Sequence, residues 1–250
     1  MASMFEEFEI HPLTKPLFSL GGHPITFSNS SLFMFLAIVM STMLMVVAMR
    51  RESIIPNRWQ MLAETIHNMI YDMVRNTAGD HAKPYFPFIF TIFLFVLFCN
   101  LLGLLPGSLA VTSHIIVNLA IALFLFLVII VAGFMHQGVH FLRIFAPPGV
   151  PIVILPFLIL IELFSFLVRP FSLSIRLFAN MLAGHILLGV FAGMTISLFG
   201  AAGLFLALGV LPLLANIAIT GFEFFVALIQ AYIYAILATV YLRDAVEAHH

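Results

Sequence analysis

A stretch of 99 residues, from Ile144 to Leu242, contains only five Asp, Glu, Lys, Arg or His residues. Soluble domains carry about 25% charged residues, whereas this whole chain of 250 residues carries 8% and is 63% hydrophobic. In lipid every backbone polar group needs an internal partner, which long apolar helices provide. The sequence therefore predicts an all-α, polytopic membrane protein.

The composition also excludes several other classes of protein. Disorder requires low hydrophobicity and high charge, and the single Cys99 cannot support a disulfide scaffold. A net charge of −1, with ten Lys and Arg residues, does not fit a nucleic-acid binder. The chain has no Gly-rich phosphate loop, no Gly-x-Ser-x-Gly elbow, no Cys-x-x-Cys pair and no metal-ligand spacing. We expect no directly bound nucleotide, no metal and no other cofactor.

The first half of the chain contains three apolar runs that are long enough to cross a bilayer, which takes about 20 residues. They cover 32–49, 85–105 and 115–135. Between the first two, residues 56–77 contain apolar side chains that recur at helical spacing, with polar side chains beside them. This pattern predicts an amphipathic helix that lies on the membrane surface.

The last stretch is too long to divide by hydropathy alone. One helix over 150–192 would be roughly 65 Å long at 1.5 Å per residue, about twice the 30 Å hydrocarbon thickness. Either four ordinary spans or two long, steeply tilted helices would fit the composition.

Ionisable residues in the first part of this stretch repeat at a fixed interval. Glu162, Arg169 and Arg176 are seven residues apart, so they share a helix face with a drift of about 20° per step. Ser172 lies beside this stripe, and Asn180 is one turn beyond Arg176. Glu162 and Arg169 can also be interpreted as a structural pair that neutralises two charges.

The last predicted helix carries a second polar stripe. Asn216, Glu223 and Gln230 again repeat every seven residues, and Tyr234 continues the line. Together the two stripes resemble the two walls of an ion path. Glu223 and His185 can exchange protons near neutral pH when buried.

Each polar residue also has a purely structural interpretation. Glu223 and Arg176 can form a neutralising pair, and Asn180 and Gln230 can join helices by hydrogen bonds. The arginine is the hardest to explain in this way, because its guanidinium cannot be neutralised by losing a proton.

Three segments resemble the a subunit of F-type ATP synthases. The residues from Ser172 to His185, SLSIRLFANMLAGH, are similar to the arginine signature of that family. The residues from Glu223 to Leu242 look like its last helix, and the residues from Asn100 to Pro106 look like part of its second span. The resemblance covers most of 85–245.

This resemblance implies a non-catalytic stator subunit in the membrane sector of a proton-transporting ATP synthase. In the family, two offset half-channels lead protons to and from the carboxylates of a rotating ring of c subunits. Arg176 corresponds to the essential arginine between them. Positions tied to proton passage match Glu162, Asn180, His185, Glu223 and Gln230. Implied partners are the c-ring, b-type peripheral-stalk subunits, the membrane lipid and, indirectly, the soluble catalytic sector.

The resemblance also implies five membrane helices, the last two forming a long tilted hairpin, plus the surface helix. By the positive-inside rule, the loop that holds half of the Lys and Arg residues is cytoplasmic. The expected organisation is an extracytoplasmic segment 1–31, a membrane helix 32–49, a cytoplasmic loop 50–83, a helical hairpin 84–143 and an ion-path hairpin 144–250 with a cytoplasmic C-terminus.

The sequence departs from many bacterial relatives at a few positions. They carry Glu where this chain has His185 and His where it has Glu223, and some carry Asp in place of Gly103. The two residue types are exchanged here, as in the mitochondrial branch of the family. This exchange keeps one carboxylate and one imidazole, which suggests that His185 and Glu223 lie close together and share a relay task. With no transit peptide seen, we expect a bacterial plasma membrane, with the mitochondrial inner membrane as the alternative.

Two other functions are compatible with the composition. A secondary transporter could use intramembrane Arg and Glu to bind an anionic solute, although such proteins usually show an internal repeat. A structural subunit of a respiratory complex would explain the hydrophobicity. Co-purification with a ring of small hairpin subunits and a soluble ATPase separates these alternatives from an ATP synthase subunit.

Overall fold

The computed structural model describes residues 18–20, 23–26, 28–50, 56–105, 111–145, 151, 154–200 and 208–246. The described chain is almost entirely helical. Its six α-helices are α1 (Asn29–Met49), α2 (Arg58–Ala78), α3 (Phe86–Gly103), α4 (Ile115–Gln137), α5 (Leu155–Phe199) and α6 (Val210–Val246). A small antiparallel hairpin, β1 (Phe18–Leu20) and β2 (His23–Ile25), precedes them and pairs Phe18 with Ile25.

Five of the described helices are long and apolar enough to cross a membrane. This confirms the prediction of an all-α, polytopic membrane protein. The ends of the first three membrane helices, α1, α3 and α4, lie within a few residues of those that hydropathy predicted. Helix α1 begins three residues earlier than predicted because Ser28 caps it, its hydroxyl accepting a hydrogen bond from the Ser31 amide at 3.4 Å.

The C-terminal stretch forms two long helices rather than four ordinary spans. Helix α5 has 45 residues and α6 has 37. Pro170 lies inside α5 without ending it, although proline removes one backbone hydrogen bond. At 1.5 Å per residue, α5 is about 68 Å long, which exceeds what an upright span requires.

Helix α2 is the predicted amphipathic helix. It begins after Asn57, whose side chain accepts a hydrogen bond from the Arg58 amide at 2.7 Å, and it ends at Ala78, followed by Gly79 with φ of 63°. Its buried side chains are Ala63, Ile70, Met73, Val74 and Ala78.

One contact shows what surrounds part of the apolar face of α2. The buried hydroxyl of Thr239, on α6, donates to the Ala235 carbonyl at 2.8 Å and lies 3.6 Å from the Met73 sulfur. Part of the apolar face therefore packs against protein. Three other apolar side chains that the periodicity assigned to the same face, Met61, Leu62 and Met69, are exposed.

The chain divides into two compact units. The first consists of 1–41, 95–114 and 177–231, and it contains the second half of α3, the end of α5 and the first part of α6. One of its buried clusters combines Ala37, Cys99 and Leu102 with three phenylalanines from α1 and α3, Phe33, Phe95 and Phe98.

The second unit consists of 42–94, 115–176 and 232–250. Its packing is rich in aromatic contacts. The ring of Phe166 on α5 lies 4.7 Å from that of Phe126, 5.3 Å from that of Phe145 and 6.4 Å from that of Phe141. These contacts join α5 to α4 and to the short 3₁₀ segment Gly138–Ile144.

Candidate functional site

The polar stripe of α6 is the most distinctive feature of the first unit. Asn216, Glu223 and Gln230 each contain a buried polar atom, and none of these atoms has a hydrogen-bond partner among the described residues. For Glu223 this applies to both carboxylate oxygens. Buried polar groups are normally hydrogen-bonded, so a stripe of such groups at seven-residue spacing is unusual in an apolar helix.

Glu223 packs against the backbone of α5. A Cβ atom on Gly184 would overlap the Glu223 carboxyl group, so only the missing side chain at residue 184 lets the carboxylate sit there. The half-buried His185 is the next residue of α5. An acid on α6 and an imidazole on α5 therefore belong to the same part of this unit.

Asn100 is a polar residue of this site that the periodicity did not single out. It is fully buried on α3, and its side-chain amide donates to the backbone carbonyl of Ala227 at 3.4 Å. Ala227 lies on α6, between Glu223 and Gln230. The only signal in the sequence was one asparagine in an apolar span. The packing of α3 against α6 shows that this asparagine lies beside the polar stripe of α6.

On α6, Tyr234 is completely buried, and its hydroxyl has no hydrogen-bond partner among the described residues. Asn180, on α5, is half-buried. Asn118, which the spacing did not include either, is fully buried on α4. Buried amide and hydroxyl groups in otherwise apolar helices are costly unless they are satisfied.

Arg176 lies on the exposed side of α5. Exposed residues at positions 172, 176, 179 and 183 form one strip along the helix, and all except Arg176 are Ser or Ala. Small residues allow a second helix to approach closely in a membrane. The guanidinium is therefore presented from a surface on which another helix can pack.

Two residues before Arg176, Ser174 is buried and its hydroxyl donates to the carbonyl of Ile115 at 3.4 Å. This contact joins α5 to the start of α4 on the side of α5 away from the exposed strip.

Arg169 has a partner that the sequence interpretation did not include. Its guanidinium binds the carboxylate of Asp244 at 3.4 Å, and no ion pair with Glu162 is present among the described residues. The guanidinium also lies 4.8 Å from the ring centre of Tyr241 and 5.6 Å from that of Phe166. Glu162 itself is half-buried on α5.

Comparisons with known proteins identify the family of the chain. The family model described as ATP synthase A chain matches residues 31–243. The chain is 45% identical over 248 residues to the ATP synthase subunit a of Pelagibacter ubique, with 99% of this chain and 98% of the relative covered. It is 48% identical to that of Acidiphilium cryptum, with 93% of each chain covered, and 46% identical to that of Afipia carboxidovorans over the full length of both. The chain belongs to the ATP synthase A chain family.

Proposed function

We propose that this chain is the stator proton-channel subunit in the membrane sector of an F-type ATP synthase. It gives protons access to the carboxylates of a c-ring through two offset half-channels, and so couples proton flow to rotation and ATP synthesis. It performs no bond chemistry of its own. The observation that carries the proposal is the row of buried polar atoms on α6 that have no hydrogen-bond partner in the described part of the chain, with the Glu223 carboxylate against Gly184.

The polar stripe of α6 supports an aqueous passage for protons. Each unsatisfied polar group in hydrocarbon costs several kcal/mol, and water that enters from one side of the membrane removes this cost. Asn216, Glu223 and Gln230 would line the passage. His185 and Glu223 would transfer protons along this passage from the outer side, and Asn180 and Tyr234 would be supporting polar groups.

Arg176 would separate the two half-channels. A ring carboxylate that has taken up a proton can rotate into lipid, whereas a charged one cannot without a cost of several kcal/mol. When it returns, the fixed charge of Arg176 favours the ionised form and promotes release into the inner passage. The same charge repels a proton that would cross directly.

The exposed strip around Arg176 supports the c-ring as the partner. Ser172 and two alanines leave room for a closely approaching helix. Glu162 would lie on the proton path, and Arg169 would be a supporting polar residue beside it. The remaining partners are b-type peripheral-stalk subunits, surrounding lipid and, through the complex, the soluble catalytic sector. The relatives named above are bacterial, which supports the bacterial plasma membrane.

The test replaces Arg176 by Ala in the assembled complex. We expect proton-driven ATP synthesis to be abolished while the catalytic sector still hydrolyses ATP, because only the membrane passage has changed. Glu223→Gln, which keeps size and polarity, should slow proton flux without loss of assembly. Thr220→Val, an exposed change one turn away from Glu223, is the matched control. Normal coupled synthesis in the Arg176→Ala complex would falsify the proposal.

A further inference from the structure

The contact between Arg169 and Asp244 is part of a four-residue arrangement, which we call the α5–α6 clamp. Each helix contributes one aromatic and one charged side chain three residues apart: Phe166 and Arg169 from α5, Tyr241 and Asp244 from α6. The guanidinium binds the carboxylate at 3.4 Å and lies within 5.6 Å of both ring centres. Planar guanidinium groups combine ion pairing with stacking on aromatic faces in this way.

The clamp lies on the same side of α5 as Arg176. Seven residues separate Arg169 from Arg176, which corresponds to about 10.5 Å along the axis and a rotation of about 20°. A constraint on the rotation of α5 at Arg169 is therefore a constraint on the direction of Arg176. The hydrogen bond from Ser174 to Ile115 holds the same segment to α4.

Stability alone is a weak explanation for this pair. The side chains of Arg169 and Asp244 are 21% and 37% exposed, and ion pairs with such exposure usually add little to folding. A subunit that bears the lateral load of a turning rotor, however, needs its fixed charge held against rotation and sliding of the helix. A contact between the two long helices near Arg176 meets this need.

We propose that the α5–α6 clamp is a positioning device that fixes the rotation and axial position of α5, so that Arg176 keeps its place while the rotor turns. Arg169 and Asp244 are thus positioning residues outside the proton path. This inference rests on the proposed function and adds a role for Asp244, Tyr241 and Phe166.

The test uses the assembled ATP synthase in inverted membrane vesicles and measures protons pumped per ATP hydrolysed. We expect Arg169→Gln and Asp244→Asn to accumulate in the membrane but to lower this ratio by about three- to tenfold, within the usual range of coupling between residues in contact. Exchanging the charges, with Arg169→Asp and Asp244→Arg together, should restore it to within about twofold of the original. Arg169→Lys, which keeps the charge but loses the planar group, should be intermediate.

The controls separate loss of charge from loss of the clamp. Arg75→Gln and Asp72→Asn remove the same charges from exposed positions of α2 and should leave the ratio unchanged. If neither single clamp variant accumulates, Tyr241→Leu, which keeps both charges, decides by the same ratio.

Two results would overturn the clamp. One is a normal ratio in fully assembled Arg169→Gln, Asp244→Asn or Tyr241→Leu complexes, and the other is a charge exchange no better than the weaker single variant. If the unaltered complex pumps no protons at all, the proposed function itself fails. If it pumps and the clamp variants pump equally well, only the clamp is wrong.

Discussion

The Glu223 carboxyl group occupies the space in which a side chain at Gly184 would stand. A helix glycine is usually a weak point, because alanine is favoured by about 1 kcal/mol at such positions. Here the glycine brings the backbone of α5 against the acid of α6. The missing side chain at residue 184 therefore allows α5 to approach α6 closely at the Glu223 carboxyl group.

Gly184→Ala should therefore displace the Glu223 carboxylate and lower proton flux by about tenfold, which corresponds to a barrier increase of about 1.4 kcal/mol. Assembly should not suffer, because alanine favours the helix. Passive proton flux through membranes stripped of the catalytic sector measures the effect. Gly221→Ala is the control, since a Cβ there meets no atom within 4 Å. Equal flux in the two variants would show that this contact is irrelevant to transport.

The pair of His185 and Glu223 should tolerate exchange better than single changes. With His185→Glu and Glu223→His together, one imidazole and one carboxylate remain in the same region, so a relay retains both of its groups. We expect the double variant to support more ATP-driven proton pumping than either single variant, which a double-mutant cycle quantifies. A double variant no more active than the weaker single one would mean that the two residues do not act as a unit.

Asn100→Leu should lower proton transport without lowering the stability of the protein. Leucine has the same branched arrangement of side-chain heavy atoms, and it removes both the weak bond to Ala227 and an oxygen that has no partner among the described residues. We expect the loss of one hydrogen bond, about 1 kcal/mol, to be offset by the removal of an unsatisfied buried acceptor. We expect normal amounts of the chain in membranes but proton flux lower by several-fold. Passive flux and immunoblotting of the same membranes measure the two quantities. Unchanged flux would limit Asn100 to a packing role.

His114 should make the stability of the protein depend on pH. It lies just before α4, and burial lowers the pKa of its imidazole below the ordinary value of 6.5. The unfolded chain then binds a proton more readily, so this residue destabilises the fold as pH falls through 6.5 towards the lower folded pKa. Thermal unfolding in detergent between about pH 5 and about pH 7.5 should show a smaller pH dependence in His114→Gln. An identical pH dependence in both proteins contradicts this assignment.

Several parts of the fold were predictable because their signals are local. Hydropathy over about 20 residues locates a membrane helix, and α3 begins at residue 86 against a predicted 85. Periodicity of 3.6 residues identified α2 as amphipathic. It did not show that Met73 packs against Thr239 of α6, because a helical pattern defines an apolar face without naming what covers it.

The two long C-terminal helices show what local sequence signals cannot predict. Composition left four short spans and two long helices equally possible, and the resemblance to a family, rather than hydropathy, favoured the two helices that the structure contains. Pro170 illustrates the reason. A proline ends many helices, and whether a helix continues through it depends on packing that the local sequence does not describe.

The sequence by itself determined the helical membrane class, the first three spans and the seven-residue polar stripes, since these depend on residue type and spacing along one helix. Its resemblance to a family added the two long C-terminal helices. Only the tertiary structure decided which groups meet: Asp244 rather than Glu162 beside Arg169, Gly184 beneath Glu223, and Asn100 against Ala227. The residues of these pairs are 39 or more positions apart. Their contact depends on how whole helices pack, and many registers of two apolar helices satisfy the same hydropathy pattern.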